Sequence, residues 1–147
     1  MSSEQSKAVA QLFAAPLYRY ADWPNPKVPV SPGVFAVWEN EELVWVGSAD
    51  GSLRSRFERH ARGQRRGSEF LKAVFSRLMF RRMDLEKAMQ TAGETQLLVD
   101  LVTSKYVKKN LTYRFLPTQD EAVAEQISQL GRKGYPPYEK PFLNPID

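Results

Sequence analysis

The residues that offer the most chemistry lie in one short segment, SLRSRFERHARGQRRG, residues 52–67. Between Arg54 and Arg66 it carries six arginines and the chain's only histidine, His60, against a single acid, Glu58. The guanidinium group is permanently charged, and its forked donors match the oxygen pair of a phosphate. A cluster of positive charge of this kind most often binds phosphate groups. A solvated, arginine-rich helix face without a ligand has the same composition, so both interpretations are open.

A helix must present these side chains. An apolar stripe recurs there at every fourth residue: Leu53, Phe57 and Ala61. This period predicts a helix with one buried face, and Ser52 suits its N-cap. Arg56 and His60 have the same spacing, so they are expected to stack on a neighbouring face of that helix.

The elements around this helix predict a small sheet. Two apolar runs, GVFAVWE and ELVWVGS, flank the acidic turn ENEE and favour an antiparallel hairpin. LTYRFLP further on predicts a third strand over 111–116. The following segment predicts a helix with Thr118 and Glu121 as a capping box and with Gly131 or Gly134 at its end. In that helix Glu125 lies beside the buried stripe.

The rest of the chain predicts helices and an arm. Residues 4–15 favour a short helix, and a proline-rich, aromatic segment after it favours an extended arm that packs across the domain. The middle, 68–110, favours helices with a break near TAGE. We therefore expect an α/β fold with a mostly antiparallel three-stranded sheet flanked by helices. Residues 1–30 would form the N-terminal helix and arm, and residues 31–147 the main domain.

Composition limits the class of protein. The chain has 147 residues, a net charge of +4 and no cysteine, so one domain is expected and thiolate metal sites and cysteine nucleophiles are excluded. A single histidine excludes multi-histidine zinc sites. No apolar run approaches the ~20 residues that span a bilayer, and the start of the chain does not resemble a signal peptide. A cytoplasmic protein without a membrane partner is expected.

In their order along the chain, these motifs resemble the GIY-YIG nuclease superfamily over about residues 31–147. In that family Gly-Ile-Tyr opens the first strand of the hairpin and Tyr-Ile-Gly closes the second. An arginine, often with a histidine one turn later, follows in a helix, and a glutamate and an asparagine come later. EKPFLNP and LTYRF are similar to one bacterial branch of the family. The matching positions are Gly33, Phe35, Trp45, Gly47, Arg56, His60, Glu125 and Asn144.

The resemblance implies a metal-dependent endonuclease that hydrolyses phosphodiester bonds, with DNA as the expected substrate. Glu125 would hold one Mg²⁺ or Mn²⁺ ion, which keeps several water ligands. Arg56 would bind the charge that develops on the phosphate. His60, with an ordinary pKa of about 6.5, would accept a proton from water. Asn144 would fasten the site by hydrogen bonds.

Both signature tyrosines are replaced, by Phe35 and Trp45. A phenyl ring has no polar atom, and an indole N–H is a donor only, so neither residue can act as general base. Weak or conditional cleavage is therefore expected, unless His60 or a tyrosine of the arm, Tyr18 or Tyr20, takes over that role.

Two other functions remain open. One is a nucleic-acid-binding module that has lost catalysis, and the other is an immunity or regulatory factor whose arginine face meets an acidic protein. The residues expected to contact nucleic acid are Arg54, Arg59, Arg62, Arg65 and Arg66. Each site residue also has an ordinary explanation: Arg56 and Glu125 as helix-surface residues, His60 as a residue that packs at its helix end, and Asn144 as a turn former before Pro145.

Overall fold

The predicted hairpin is the centre of a four-stranded sheet. The computed structural model describes residues 3–79, 96–134 and 140–144. The strands are β1 (Tyr18–Arg19), β2 (Gly33–Glu39), β3 (Glu42–Ala49) and β4 (Leu111–Pro117). The helices are α1 (Ser3–Ala14), α2 (Leu53–Arg62), α3 (Glu69–Ala73), α4 (Gln96–Asn110) and α5 (Glu121–Arg132). A 3₁₀ turn, Tyr20–Asp22, follows β1, and a π-helical segment, Val74–Met79, continues α3.

All strand pairs in the sheet are antiparallel, and the strand order is β1-β4-β2-β3. The hairpin and the strand predicted over 111–116 are both confirmed. The expectation of three strands was one short, because β1 adds Tyr18 and Arg19 to the outer edge of β4. Two residues in a proline-rich arm are too few to show the alternation that identifies a strand.

The sheet has a hydrophobic core on each face. Side chains alternate along a strand, so neighbouring residues of β2 enter different layers. Phe35 and Val37 pack in the layer that holds α2 and α3, whereas Val34 and Ala36 pack with α1 and α5. All residues of β2 are buried. Helices therefore lie on both faces of the sheet, as the predicted α/β class requires.

The helix caps agree with the sequence at α2 and disagree at α5. Ser52 caps α2, since its side chain accepts the Ser55 N–H at 3.1 Å. The predicted cap of α5, Thr118, was wrong: Asp120 caps this helix and accepts the Val123 N–H at 2.8 Å. A carboxylate at this position also interacts favourably with the helix dipole. The helix ends at Arg132, between the two glycines predicted to end it.

The N-terminal arm is fastened to the start of α2. Arg54 donates from its guanidinium to the carbonyls of Val28, at 2.9 Å, and Pro26, at 3.1 Å. The backbone N–H of Leu53 donates to the Ser31 carbonyl at 2.8 Å.

The predicted helix break near TAGE lies outside the described residues. Within the described ranges, no helix is both long and apolar enough to cross a membrane.

The end of α2 is fixed by Gly63, which has a φ of 67°. A Cβ added there would lie 2.3 Å from the Asp100 carbonyl oxygen and 2.4 Å from the Ser104 nitrogen, both on the backbone of α4. Only glycine allows this close approach at a positive φ.

Gly63→Ala should therefore lower the free energy of unfolding by more than the about 1–2 kcal/mol that a positive φ alone costs. Urea unfolding followed by circular dichroism measures the change. Gly51→Ala is the matched control, because no atom lies within 4 Å of a Cβ there. Equal stabilities of the two variants would contradict the contact between α2 and α4.

Candidate active site

A concavity of about 220 Å³ opens at the edge of β3. Its lining comes from the hairpin, α2, α3 and α5. Four positions of the resemblance are part of it: Phe35, Trp45, Gly47 and Arg56. Arg132, Ser48, Glu69 and Phe70 also line it. The structure thus brings together the two positions that the resemblance matches to tyrosines, the second glycine that it matches and the arginine predicted to bind phosphate.

Gly47 is the floor of this concavity. Phe35 and Gly47 face each other across the hairpin. A Cβ added to Gly47 would lie 2.7 Å from the indole nitrogen of Trp45 and 2.9 Å from Cζ of Phe35. Both rings therefore reach over the glycine, and a larger residue would displace them. Gly33, at the start of β2 and two residues from Phe35, packs against Leu53.

Arg56 reaches the concavity from the first turns of α2. Its nearest acid is Asp50, whose carboxylate lies 3.5 Å from the guanidinium. The Asp50 side chain is 80% exposed, and ion pairs of this kind contribute about 0–1 kcal/mol. A phosphate group can therefore compete with Asp50 for Arg56 at little cost.

Glu125 approaches the same edge from α5, on the opposite face of the sheet. Its Oε2 accepts a hydrogen bond from the Ser48 hydroxyl at 2.5 Å, and its Oε1 lies 3.8 Å from a guanidinium nitrogen of Arg132. Ser48 and Arg132 both line the concavity. Glu125 is not itself among the residues that line the concavity, contrary to the expectation that its carboxylate and Arg56 face one surface. It contacts two side chains that do line it, Ser48 and Arg132.

The donors at Glu125 fit a divalent ion with few protein ligands. Among the described residues, no three histidine or acidic side chains cluster as a metal site would require. The Glu125 carboxylate and the Ser48 hydroxyl are hard oxygen donors, the kind that Mg²⁺ and Mn²⁺ prefer. An ion at Oε1 would have to replace Arg132, which is a loose partner at 3.8 Å.

His60 does not face the concavity. Its side chain is fully buried, its Nδ1 lies 2.8 Å from the Tyr20 hydroxyl, and its ring packs on Phe70 with centroids 4.4 Å apart. Burial, and then the charges of Arg56 and Arg59, hold the pKa of His60 well below its usual value. The prediction that the imidazole shares a surface with Arg56 and serves as base was therefore wrong. The packing explanation is confirmed.

The arm tyrosines do not supply the missing hydroxyl. Tyr20 is fully buried against His60, and burial raises its pKa well above the usual value. Tyr18 packs on Tyr113 and Phe115, with ring centroids 5.7 Å and 5.9 Å apart. Neither tyrosine lines the concavity, so the suggestion that one of them supplies a hydroxyl there was wrong.

Asn144 fastens the edge of β3 beside the site. Its side-chain oxygen accepts the Val46 N–H at 2.8 Å, and its side-chain nitrogen donates to the Val46 carbonyl at 3.0 Å. The backbone N–H groups of Phe142 and Leu143 donate to the carbonyls of Leu43 and Val44. Residues 142–144 therefore cover β3 up to the point where the concavity begins.

The arginines of the 54–66 segment do not form one open face. Arg54 holds the arm. Arg65 donates to Asp100 at 2.9 Å and lies over the ring of Phe75. Arg62 pairs with Glu58 at 2.7 Å.

Arg59 and Arg66 are exposed, and neither has an ion pair or hydrogen bond with the described residues. A Cβ on Gly67, which lines the concavity, would lie 3.3 Å from the Arg59 guanidinium. Arg59 and Arg66, with Arg56, are thus the cations of this segment that remain available to a ligand.

Sequence reasoning missed Ser48 and Arg132. Ser48 follows Gly47 directly, so its side chain points to the opposite face of the strand, where α5 lies. Arg132 follows Glu125 by seven residues, which places both on one side of the helix. Once Gly47 and Glu125 had been identified as site candidates, these two spacings would have predicted Ser48 and Arg132 as neighbours of the site.

Comparison with family models, with curated proteins and with solved structures finds no match to this chain. The resemblance to GIY-YIG nucleases therefore depends on the order of the motifs and on the positions described above.

The buried, neutral His60 makes stability depend on pH. A folded-state pKa below the unfolded value of about 6.5 means that the unfolded chain binds the proton first as the pH falls. The free energy of unfolding should be constant above that pH and decrease below it, by at most about 1.4 kcal/mol per pH unit. Urea unfolding between pH 7.5 and pH 5 measures this slope.

His60→Gln should remove the slope, and because the chain has one histidine, no other imidazole contributes. Native protein whose stability is unchanged across that pH range would show that His60 is not held neutral by burial.

Proposed function

We propose that the protein is a metal-dependent endonuclease of the GIY-YIG type that hydrolyses DNA phosphodiester bonds weakly or conditionally. The observation that supports this most is the convergence of Phe35, Trp45, Gly47 and Arg56 on one concavity. Glu125 contributes from the other face of the sheet through Ser48 and Arg132. Phosphate is bound by cations and a divalent metal ion by a carboxylate. The edge of β3 has both kinds of group, in Arg56 and in Glu125.

Each side chain has a role in this proposal. Arg56 binds the non-bridging oxygens of the scissile phosphate and stabilises the charge that builds up there. Glu125 holds one Mg²⁺ or Mn²⁺ ion. Such an ion, when bound, polarises the phosphate and lowers the pKa of a water ligand. Ser48 donates to the second carboxylate oxygen and so keeps Glu125 in one orientation.

Proton transfer is the weak step. Among the described residues, Glu69 is the carboxylate that lines the concavity, and it is the proton acceptor that the cavity offers. Its side chain is 81% exposed, with Lys72 at 3.8 Å, so it is loosely positioned. A poorly placed general base forfeits part of the about 10²–10⁴-fold that general-base catalysis supplies. Slow cleavage is the consequence.

A nucleic-acid-binding module without catalysis is the second candidate. It is favoured by the burial of His60 and by the absence of a hydroxyl at positions 35 and 45. In this function Arg56, Arg59 and Arg66 bind the phosphate backbone and Glu125 orders the edge of β3.

Cleavage separates the two candidates. Supercoiled plasmid incubated with the protein and Mn²⁺ should be nicked. Arg56→Ala should reduce the rate by at least about 10²-fold, as removal of one transition-state donor does. Glu125→Gln, which removes the carboxylate proposed to hold the ion, should reduce the rate to a similar extent. Glu121→Gln, an exposed acid in the first turn of the same helix, is the control for Glu125→Gln. Arg19→Ala, an exposed arginine of β1, is the control for Arg56→Ala.

Metal-dependent nicking that survives both site variants would come from a contaminant or from another site, and would remove the nuclease proposal. Binding without any nicking would favour the binding module.

Nucleic-acid affinity should depend on the uncommitted arginines. The slope of log affinity against log salt becomes shallower by about 0.7–0.9 for each phosphate that the protein no longer neutralises. The double variant Arg59→Glu with Arg66→Glu should therefore weaken oligonucleotide binding and flatten this slope, as measured by fluorescence anisotropy. Arg19→Glu, remote from the concavity, should leave the slope unchanged. Equal slopes for the native protein and the double variant would show that nucleic acid does not contact Arg59 and Arg66.

A further inference from the structure

Trp45 combines a nearly buried ring with an indole N–H that has no partner in the described part of the fold. The residue is 8% exposed, and its ring packs on Phe70 with centroids 5.5 Å apart. Its nitrogen makes no hydrogen bond with the described residues, and it is not among the buried polar atoms sealed from solvent. Trp23, by contrast, donates its N–H to Glu58. Tryptophans with buried rings usually pair this donor, so the open N–H at position 45 requires an explanation.

The indole N–H of Trp45 points into the concavity above Gly47. The indole nitrogen lies 2.7 Å from the point where a Cβ of Gly47 would be. It therefore overhangs the floor of the concavity, in the space that the missing side chain leaves. The glycine keeps that space open, and the ring contact with Phe70 holds the donor in place.

The two arginines of the concavity favour an anion in that space, and the one acid among the described residues that lines it, Glu69, has a side chain 81% exposed to solvent. Arg56 and Arg132 line the same cavity and bring two permanent positive charges. A neutral N–H donor in a cavity that also holds cations is complementary to an oxygen that carries negative charge. The phosphate group is the common anion with several such oxygens. Its source is either a nucleic-acid diester or a free phosphate.

We propose that the Trp45 indole N–H and the Arg56 guanidinium together form a phosphate-oxygen subsite, with the tryptophan as a fixed hydrogen-bond donor. This inference rests on the proposed function, and it assigns to position 45 a substrate contact in place of proton transfer. Tryptophan and phenylalanine would both pack on Phe70, and only tryptophan adds the donor.

Nuclear magnetic resonance of the ¹⁵N-labelled protein tests the contact directly. Each tryptophan gives one indole N–H signal, and the chain has three tryptophans. The probes are a short single-stranded oligodeoxynucleotide and, separately, inorganic phosphate, both without a divalent metal so that no cleavage occurs. The Trp45 indole signal should move downfield and saturate with the oligonucleotide, and the Trp23 signal should stay in place. Arg56→Ala should abolish the movement.

Affinity measurements give an independent readout. Trp45→Phe should weaken oligonucleotide binding by roughly 10-fold or more, since hydrogen bonds to charged groups contribute about 1.5–3 kcal/mol. Trp23→Phe is the matched control and should bind like the native protein. The titration needs no variant at position 45, so it decides the question even where Trp45→Phe does not fold.

The outcomes separate the subsite from the proposed function. Oligonucleotide binding while neither probe moves the Trp45 signal overturns the subsite and leaves nucleic-acid binding intact. Movement with inorganic phosphate but not with the oligonucleotide supports the subsite as a free-phosphate site and removes the nucleic-acid function. A signal unmoved by either probe overturns the subsite.

Discussion

Burial of β2 on both faces is the constraint on which the rest of the structure depends. A strand without an exposed residue must be covered by helices above and below the sheet, because each of its faces is apolar. This places α2 on one side and α5 on the other. Helices on opposite faces can meet only at an edge of the sheet, and β3 is the edge at which Arg56 and the partners of Glu125 come together.

The sequence predicted what is periodic and local. The hairpin, β4 and the buried stripe of α2 follow from alternation or from a spacing of four, and the structure contains all of them. Depth was not predictable in the same way. Arg56 and His60 have the right spacing for one helix face, yet only Arg56 reaches the surface. His60 is fully buried and packs against Phe70 and the arm. That outcome depends on contacts with residues far away in the chain, above all Tyr20, which no local pattern reveals.

Charge illustrates the same limit. Six arginines in thirteen positions suggest a strong and uniform field, but two of them, Arg54 and Arg65, stabilise the fold through the arm and Asp100. Composition counts charges without their partners. Of the six arginines in this segment, only some lie near the concavity in the structure. Arg132, on a helix far along the chain, also lines the concavity, and a count over residues 54–66 could not include it.

The covering of β3 by residues 142–144 has a consequence for self-association. An uncovered edge strand offers a ladder of N–H and C=O groups to a second chain, which is a common origin of aggregation and of amyloid. Here the ladder from Leu43 to Val46 is occupied by the chain's own segment and by the amide of Asn144. The part of the edge that borders the concavity, Gly47 and Ser48, is too short to seed an intermolecular sheet. The protein can thus keep an accessible strand edge for a ligand without offering a growth point for a fibril.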